Sequence, residues 1–321
     1  MKFEDRKNRG WIWAAIVFYA LLFSAVTALA QVKKPVVSAF RTISIVTEPN
    51  AIVWIDGVKY GRTADDGKLT VKTVATGKHT VRIRADGFAE GIKEILPTQK
   101  GTIDLPLKKT TDEAELAFQQ AVVLATTDRD KAAEAYKKAV RMRPGFVEAY
   151  IGLARLYSES GKREEAANTI KEIRKIRPRS AEASTIEGRN FKEGGDDEKA
   201  IASFKRAITE GGGFQPEANT GLGLIYKEKA ENAGGSGDYD QESVNYTAAA
   251  KYFSLAIKQL SGAPDAVVLY QFLGLVYEQQ KKYKEAITVY QEFLRFFPDN
   301  TESAAFESYI VQLKKLLNDP K

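Results

Sequence analysis

A step of 34 residues in the second half of the chain constrains its fold more than any other feature. An alanine followed four positions later by a large apolar residue recurs at this step, as Ala132 with Tyr136, Ala166 with Ile170, and Ala200 with Phe204. Such a period is typical of stacked helical hairpins, because each hairpin buries its apolar face only against the next one. The sequence therefore predicts an all-α solenoid, an extended surface that serves mainly to bind.

Composition excludes several classes of function. The chain has 321 residues, no cysteine and one histidine, His79. It can therefore form no disulfide or thiolate metal site, and it cannot use thiol catalysis or a His-pair metal site. No Ser/His/Asp set, metal cluster or phosphate loop is evident. We expect a non-enzymatic protein that needs no cofactor or metal and binds no nucleic acid.

Residues 1–30 have the pattern of an export signal. Basic residues between positions 2 and 9 precede an uncharged stretch that ends in Ala28-Leu29-Ala30, a small-x-small cleavage pattern. The uncharged stretch is near the ~20 residues that span a bilayer, so a retained inner-membrane anchor is the alternative. In either case residues 31–321 are expected outside the cytoplasm, in the periplasm or at the cell surface, with residues 31–40 as a linker.

Residues 41–108 alternate between apolar and polar positions, which predicts strands with one buried face. The apolar members are Val53 and Ile55, then Val81 and Ile83, then Ile103, Leu105 and Leu107. Tight-turn signals lie between these runs, at Asp56-Gly57, Asp66-Gly67, Thr76-Gly77 and Asp86-Gly87. The pattern predicts a small antiparallel β sandwich.

This segment resembles the PEGA domain family. The resemblance is carried by Pro49-Asn50-Ala51, Val53-Trp54-Ile55-Asp56-Gly57, Gly61-Arg62-Thr63, Gly77-Lys78-His79-Thr80-Val81 and Asp86-Gly87-Phe88. The four letters that name the family read Glu48-Pro49-Asn50-Ala51 here, and Ala64 and Phe88 replace a usual Pro and Tyr. The resemblance implies a small β module of exported bacterial proteins. We interpret His79 as structural and Trp54 as cover for a sheet face, with sugar stacking by Trp54 as the alternative.

Residues 113–300 are similar to five tetratricopeptide repeat (TPR) units. The first helices of the second, fourth and fifth units carry a Leu-small pair, as in Tyr150-x2-Leu153-Ala154-x2-Tyr157, Asn219-x2-Leu222-Gly223-x2-Tyr226 and Tyr270-x2-Leu273-Gly274-x2-Tyr277. The third unit matches weakly, as Ser184-x2-Glu187-Gly188-x2-Phe191, and the first is degenerate, with Gln120 where a small residue is usual. The small residue is expected to let the first helix approach the second. Residues 301–317 are interpreted as a capping helix. An insertion at about 230–247 interrupts the rhythm, and its glycine-rich sequence is expected to form a mobile surface loop.

The TPR resemblance implies a concave groove lined by the first helices. The residues expected on its wall are Arg155, Arg189, Lys192, Leu224, Lys227 and Leu275. The early groove would then be basic and the late groove apolar, which suits a protein or peptide with a carboxylate followed by apolar anchors. In the alternative interpretation, Arg155–Glu159 and Arg189–Glu193 are helix pairs that merely solvate a surface.

Two function hypotheses follow. In the first, the chain is an exported scaffold or adaptor, in which the TPR groove holds a protein partner and the PEGA-like domain engages a component of the cell envelope. In the second, the chain binds a glycan or the cell wall through its β domain, and the array is a spacer or an oligomerisation element.

Overall fold

The structure is a computed structural model and describes residues 40–318. The expected export signal or membrane anchor at 1–30 lies outside the described residues, as does nearly all of the linker at 31–40. Within the described part of the chain, no helix combines the length and the apolar character needed to cross a membrane.

Residues 40–104 form a β sandwich of seven strands. Their bounds are β1 Phe40–Val46, β2 Ile52–Ile55, β3 Val58–Arg62, β4 Lys68–Ala75, β5 His79–Arg84, β6 Gly91–Ile95 and β7 Gly101–Asp104. One sheet has the order β4-β1-β7 and the other has the order β3-β2-β5-β6. The predicted alternation is confirmed in the core between the sheets, where Val53, Ile55, Val81, Ile83 and Ile103 are buried.

The expectation of a purely antiparallel sandwich is wrong for one strand pair. β7 runs parallel to β1, with Ile45 opposite Ile103, because the chain crosses from β6 to the other sheet before β7 begins. Arg41 holds this crossover in place. Its guanidinium donates to the carbonyl oxygens of Leu96 and Pro97, each at 2.6 Å, and of Gln99 at 2.8 Å. A side chain that satisfies three loop carbonyls stabilises a connection that the alternation of the strands does not reveal.

Eleven helices follow within the described residues. They are α1 Glu113–Leu124, α2 Arg129–Met142, α3 Val147–Glu159, α4 Arg163–Ile176, α5 Ala181–Glu193, α6 Asp197–Glu210, α7 Pro216–Gly235, α8 Tyr239–Leu260, α9 Val267–Gln279, α10 Tyr283–Phe296 and α11 Ser303–Asn318. The first ten pair as five antiparallel hairpins, and α11 covers the last hairpin with Phe306, Ile310 and Leu313.

Glycines in the first helices of the third, fourth and fifth hairpins let the two helices of the hairpin approach closely, as the sequence predicts. A Cβ added to Gly188 would lie 2.7 Å from the ring of Phe204, and a Cβ on Gly223 would lie 2.6 Å from the ring of Phe253. Gly274 faces the ring of Tyr290 at still closer range. Because Cβ atoms do not approach ring carbons this closely, these positions require glycine.

The insertion in the fourth hairpin is helical, so the expectation of a mobile loop at about 230–247 is wrong. α7 has 20 residues and α8 has 22, whereas α3 and α4 have 13 and 14. Both helices of the hairpin are simply longer. Ala230 and Tyr246 are buried in the extension, and Asp238 caps α8 by accepting a hydrogen bond from the amide of Gln241. Burial of an apolar seam outweighs the poor helix propensity of the glycines.

The β domain packs against the array at α1 and at the turn between α8 and α9. At α1, the amide of Gly87 donates to Gln119 Oε1 and Gln119 Nε2 donates to the carbonyl of Phe88, both at 2.8 Å, while the Arg84 guanidinium lies 4.4 Å from the Phe118 ring. The connection between the domain and α1 is held as well, since the amide of Thr110 donates to the carbonyl of Gly87 at 3.0 Å.

The second contact is made by the turn between α8 and α9. Ser261 Oγ donates to the carbonyl of Thr73 at 3.3 Å, and a Cβ on Gly262 would lie 2.8 Å from Thr73 Oγ1. Tyr60 packs between the sandwich and the array, and its hydroxyl donates to the carbonyl of Ser261 at 3.3 Å. Burial raises the pKa of Tyr60 to about 12. The β domain and the array thus form one compact unit over the described residues.

Candidate partner-binding groove

The six residues expected in the groove lie on the first helices of four successive hairpins. Arg155 is on α3, Arg189 and Lys192 are on α5, Leu224 and Lys227 are on α7, and Leu275 is on α9. Ion pairs between these helices show which of the residues share a surface.

Arg155 and Arg189 meet on one carboxylate, that of Glu217 in the first turn of α7. Arg155 Nη1 and Nη2 donate to Glu217 Oε1 and Oε2 at 2.7 and 2.8 Å, a bidentate pair. Arg189 donates to the same Glu217 and, at 2.9 Å, to Glu159 on α3. The network therefore links the first helices of three hairpins.

The electrostatics of Glu217 follow from this arrangement. Burial by itself raises the pKa of a carboxyl group, but the charges and hydrogen bonds of Arg155 and Arg189 outweigh it and lower the pKa of Glu217. Burial acts against the charged form of Arg155 as well, and the attraction of Glu217 reverses this and raises the pKa of Arg155. Both groups are charged near neutral pH, and the pair joins α3 to α7.

The two lysines of the groove also have acidic partners. Lys192 Nζ lies 3.0 Å from Glu228 Oε2, a pair that joins α5 to α7, and Lys227 Nζ lies 2.6 Å from Glu231 Oε1 one turn further along α7. Since each candidate cation faces a glutamate, the early groove is balanced in charge rather than basic.

This balance of charge was not predicted from the sequence, because Glu217 and Glu228 lie on a different helix from the cations that they neutralise. The expected pairs within a helix, Arg155–Glu159 and Arg189–Glu193, are not the ones that form; Arg189 pairs with Glu159 across helices instead. The one available signal for Glu217 was its place after Pro216 at a helix start, where an acidic residue is common.

The two apolar residues of the candidate groove differ in exposure. Leu224 is half-buried and packs against the core of the last two hairpins. Leu275 is 39% exposed, which leaves it available to a partner. Of these two, Leu275 is the better candidate for contact with an apolar anchor.

His79 and Trp54 have structural partners in the β domain. His79 Nδ1 lies 2.6 Å from Asp56 Oδ2, and His79 Nε2 lies 2.8 Å from the carbonyl oxygen of Ala75. The Arg82 guanidinium lies 4.2 Å from the centre of the Trp54 ring and covers it. Within residues 40–318, no group of three acidic, His or Cys side chains is arranged to hold a metal ion.

Comparison with known proteins bears out the two resemblances. Residues 40–111 match the PEGA domain, and residues 123–189 and 267–300 match the tetratricopeptide repeat. No curated protein matches the chain by sequence.

Solved structures similar to the chain include yeast Tom70, at 16% identity and a TM-score of 0.51, over 65% of this chain and 41% of that one. MamA is 23% identical, with a TM-score of 0.41, over 62% of this chain and 97% of that one. PilW, described as a widely conserved type IV pilus biogenesis factor, is 13% identical, with a TM-score of 0.45, over 65% of this chain and 94% of that one. The likeness to Tom70 concerns the fold alone.

A TPR array is in general a non-catalytic scaffold for contacts between proteins. The seven-stranded sandwich, the five helical hairpins and the family matches agree on the organisation of the described residues. The described part of the chain therefore carries a PEGA domain followed by an array of tetratricopeptide repeats.

Proposed function

We propose that this chain is an exported, non-enzymatic scaffold that holds a protein partner in the TPR groove while its PEGA domain engages a component of the cell envelope. Its place would be the periplasm or the cell surface, or the inner membrane with residues 31–321 outside the cytoplasm. The observation that carries the proposal is the network of Arg155, Arg189 and Glu217, which fixes three first helices as one preformed surface. A preformed surface lowers the entropic cost of binding.

The contact residues we propose are Arg155, Arg189, Lys192, Leu224, Lys227 and Leu275. Because each of the four cations already faces a glutamate, a purely acidic segment would have to displace carboxylates. A segment that carries charges of both signs can exchange with these pairs without leaving a buried charge unpaired. We therefore expect a partner segment of mixed charge with an apolar anchor that reaches Leu275.

One face of the β domain remains available for the envelope. The domain contacts the array through its β3–β4 edge, its Gly87–Phe88 turn and the ring of Phe40, which lies 5.1 Å from the Phe296 ring on α10. Beyond Phe40, the outer face of the β4-β1-β7 sheet is exposed. That face presents Thr42, Thr70, Lys72 and Thr102. A row of hydroxyl groups suits hydrogen bonding to an envelope glycan, and this supports the second candidate, a glycan or cell-wall binder in which the array is a spacer.

Site-specific photo-crosslinking in the native host tests the groove. A photoreactive residue at Leu275 is expected to capture one specific protein partner. The matched control is the same residue at Val311, which is 53% exposed on α11. A third probe, at Thr70 on the exposed sheet face, tests the alternative. Equal capture at Leu275 and Val311, or capture only at Thr70, would contradict the groove and favour the glycan or wall binder.

A charge exchange then separates contact from structure. Lys192→Glu places a carboxylate beside that of Glu228 and should weaken partner capture. Adding Glu228→Lys restores the ion pair in reversed order, so the thermal stability should return. Capture should stay lost if the partner contacts these side chains, and full recovery of capture would show that the pair acts only on the fold.

A further inference from the structure

A cavity of about 380 Å³ lies between the β domain and the array. Val58, Val74 and Tyr60 line it from the sandwich, and Phe214 and Leu255 line it from the array. Phe214 is 40% exposed and Leu255 is 38% exposed, so two large apolar side chains remain open to solvent at the cavity. Small-molecule sites are commonly apolar clefts of roughly 300–1,000 Å³ at domain interfaces, with a few polar groups that orient the ligand.

Most polar groups that line the cavity already have partners. His79 bonds Asp56 and the carbonyl of Ala75, and Asp56 also accepts from the amide of Thr80 at 2.8 Å. Gln259 uses both ends of its amide, since Oε1 accepts from the amide of Gln215 at 3.0 Å and Nε2 donates to a carbonyl at 2.7 Å. These groups shape the cavity and offer little to a ligand.

Lys258 differs from them. It lines the cavity from α8, and over residues 40–318 its ammonium group has neither an ion pair nor a hydrogen bond. An unpaired cation beside an apolar cleft selects for a ligand with an apolar body and an anionic head, because the head adds a charge-assisted hydrogen bond to the burial of the body.

We propose that this cavity binds a small apolar carboxylate, with the carboxylate on Lys258 and the apolar body between Val58 and Leu255. The site needs both the PEGA domain and the array, and it is separate from the TPR groove. Two sources offer this chemistry: a free alkanoate, and the C-terminal residue of a peptide chain.

Methyl and amide NMR of the purified full-length chain tests the proposal with three probes. Hexanoate represents the free acid, N-acetyl-leucine represents a peptide C-terminus, and hexylamine is the cationic counterpart of hexanoate. At least one carboxylate should shift the signals of Val58, Val74 and Leu255 in a saturable way. Hexylamine should bind about tenfold more weakly, the expected value of one charge-assisted hydrogen bond. The tighter of the two carboxylates identifies the source.

Variants of the cavity make the assignment specific. Lys258→Gln should weaken carboxylate binding about tenfold and remove the preference over hexylamine. Lys251→Gln, an exposed lysine on the same helix that does not line the cavity, should change nothing. Leu255→Trp should block the cavity from the array side, and Val58→Phe should do so from the sandwich side if Leu255→Trp fails to fold. Shifts that do not saturate, that spread beyond the cavity, or that persist unchanged in Lys258→Gln would overturn the proposal.

Discussion

At the scale of single residues, close contacts and ion pairs across helices define the array. Gly274 lies against Tyr290, whose side chain is fully buried and packs edge-to-face against Phe306 and at a tilt against Tyr309. The ring cannot retreat, because its other sides are already packed. Glu217 is the polar example, because its half-buried carboxylate accepts hydrogen bonds from two arginines on different helices.

Gly274→Ala should destabilise the protein. Alanine is normally favoured over glycine in a helix by roughly 1 kcal/mol, but here the added methyl group overlaps the Tyr290 ring, and overpacking costs about 1–3 kcal/mol. We expect a net fall in the free energy of unfolding and in Tm, measured by urea titration and circular dichroism. The matched control is Gly235→Ala at the end of α7, where a Cβ meets open space; it should leave stability unchanged or raise it. Equal effects at the two sites would show that the packing of Gly274 is unimportant.

Glu217→Gln should lower stability at neutral pH by about 1–2 kcal/mol, because Arg155 and Arg189 lose a charged partner. The pKa of Glu217 is lowered in the folded protein, so its contribution is present above the unfolded value near 4.5 and is lost as the pH falls through the folded value. The difference between wild type and variant, followed by urea titration, should therefore shrink under acidic conditions. Glu231→Gln, in an exposed pair, should change stability by less than about 0.5 kcal/mol at any pH. A difference for Glu217→Gln that does not depend on pH would contradict the assigned charge network.

At the scale of elements, the fourth hairpin shows how an insertion is absorbed. The extra residues lengthen α7 and α8 on both sides of the Ser236–Asp238 turn, and the added turns bury Ala230 and Tyr246 against each other's helix. A loop with the same residues would leave these apolar groups exposed and many backbone groups without partners. The extended hairpin therefore forms a helical arm.

Hydrogen exchange should report this arm as helix. Amides in residues 228–235 and 243–249 are expected to exchange as slowly as those of neighbouring helices, and much more slowly than the turn at 211–215. Limited proteolysis in the same region should be confined to residues 236–238. Exchange across 230–247 at the rate of the 211–215 turn would favour a mobile loop instead.

At the scale of the whole described unit, the β domain connects the first hairpin to the turn after the fourth. Gln119 on α1 satisfies the Gly87–Phe88 turn, and Gly262 fits against Thr73 with no room for a side chain. The backbone that joins the domain to α1 is hydrogen-bonded to the domain as well. Most side chains of residues 108–112 are exposed, but their hydrogen-bonded backbone predicts that this link resists proteases.

Gly262→Val should detach the sandwich from the second contact while leaving the hairpins folded. The added side chain collides with Thr73, and the left-handed backbone of Gly262, with φ of 76°, adds strain. Proteolysis at 108–112 should accelerate, and the β domain should unfold at a lower temperature than the array. Gly237→Val has a similar φ of 82° but open space around it, and it controls for strain alone. The same acceleration in both variants would argue against the proposed contact.

The sequence by itself determined the class and order of the elements. The step from Ala132 to Ala166 to Ala200 predicts the hairpins, and the alternation at Val53, Ile55, Val81 and Ile83 predicts the sandwich core. Both signals are local, because the period of apolar residues records which face of one helix or strand is buried. The same local pattern also predicted that small residues, here Gly188, Gly223 and Gly274, let the two helices of a hairpin approach.

Only the tertiary structure decided the pairings between residues that are distant in the chain. Glu217 lies 62 positions from Arg155, and Thr73 lies 188 positions from Ser261. The parallel β1–β7 pair and the contact between the β domain and the array have the same origin. Such pairings depend on where the hairpins and sheets come to lie in space, and a local period of apolar residues carries no information about that. The charge of the groove and the cavity at the domain junction both follow from them.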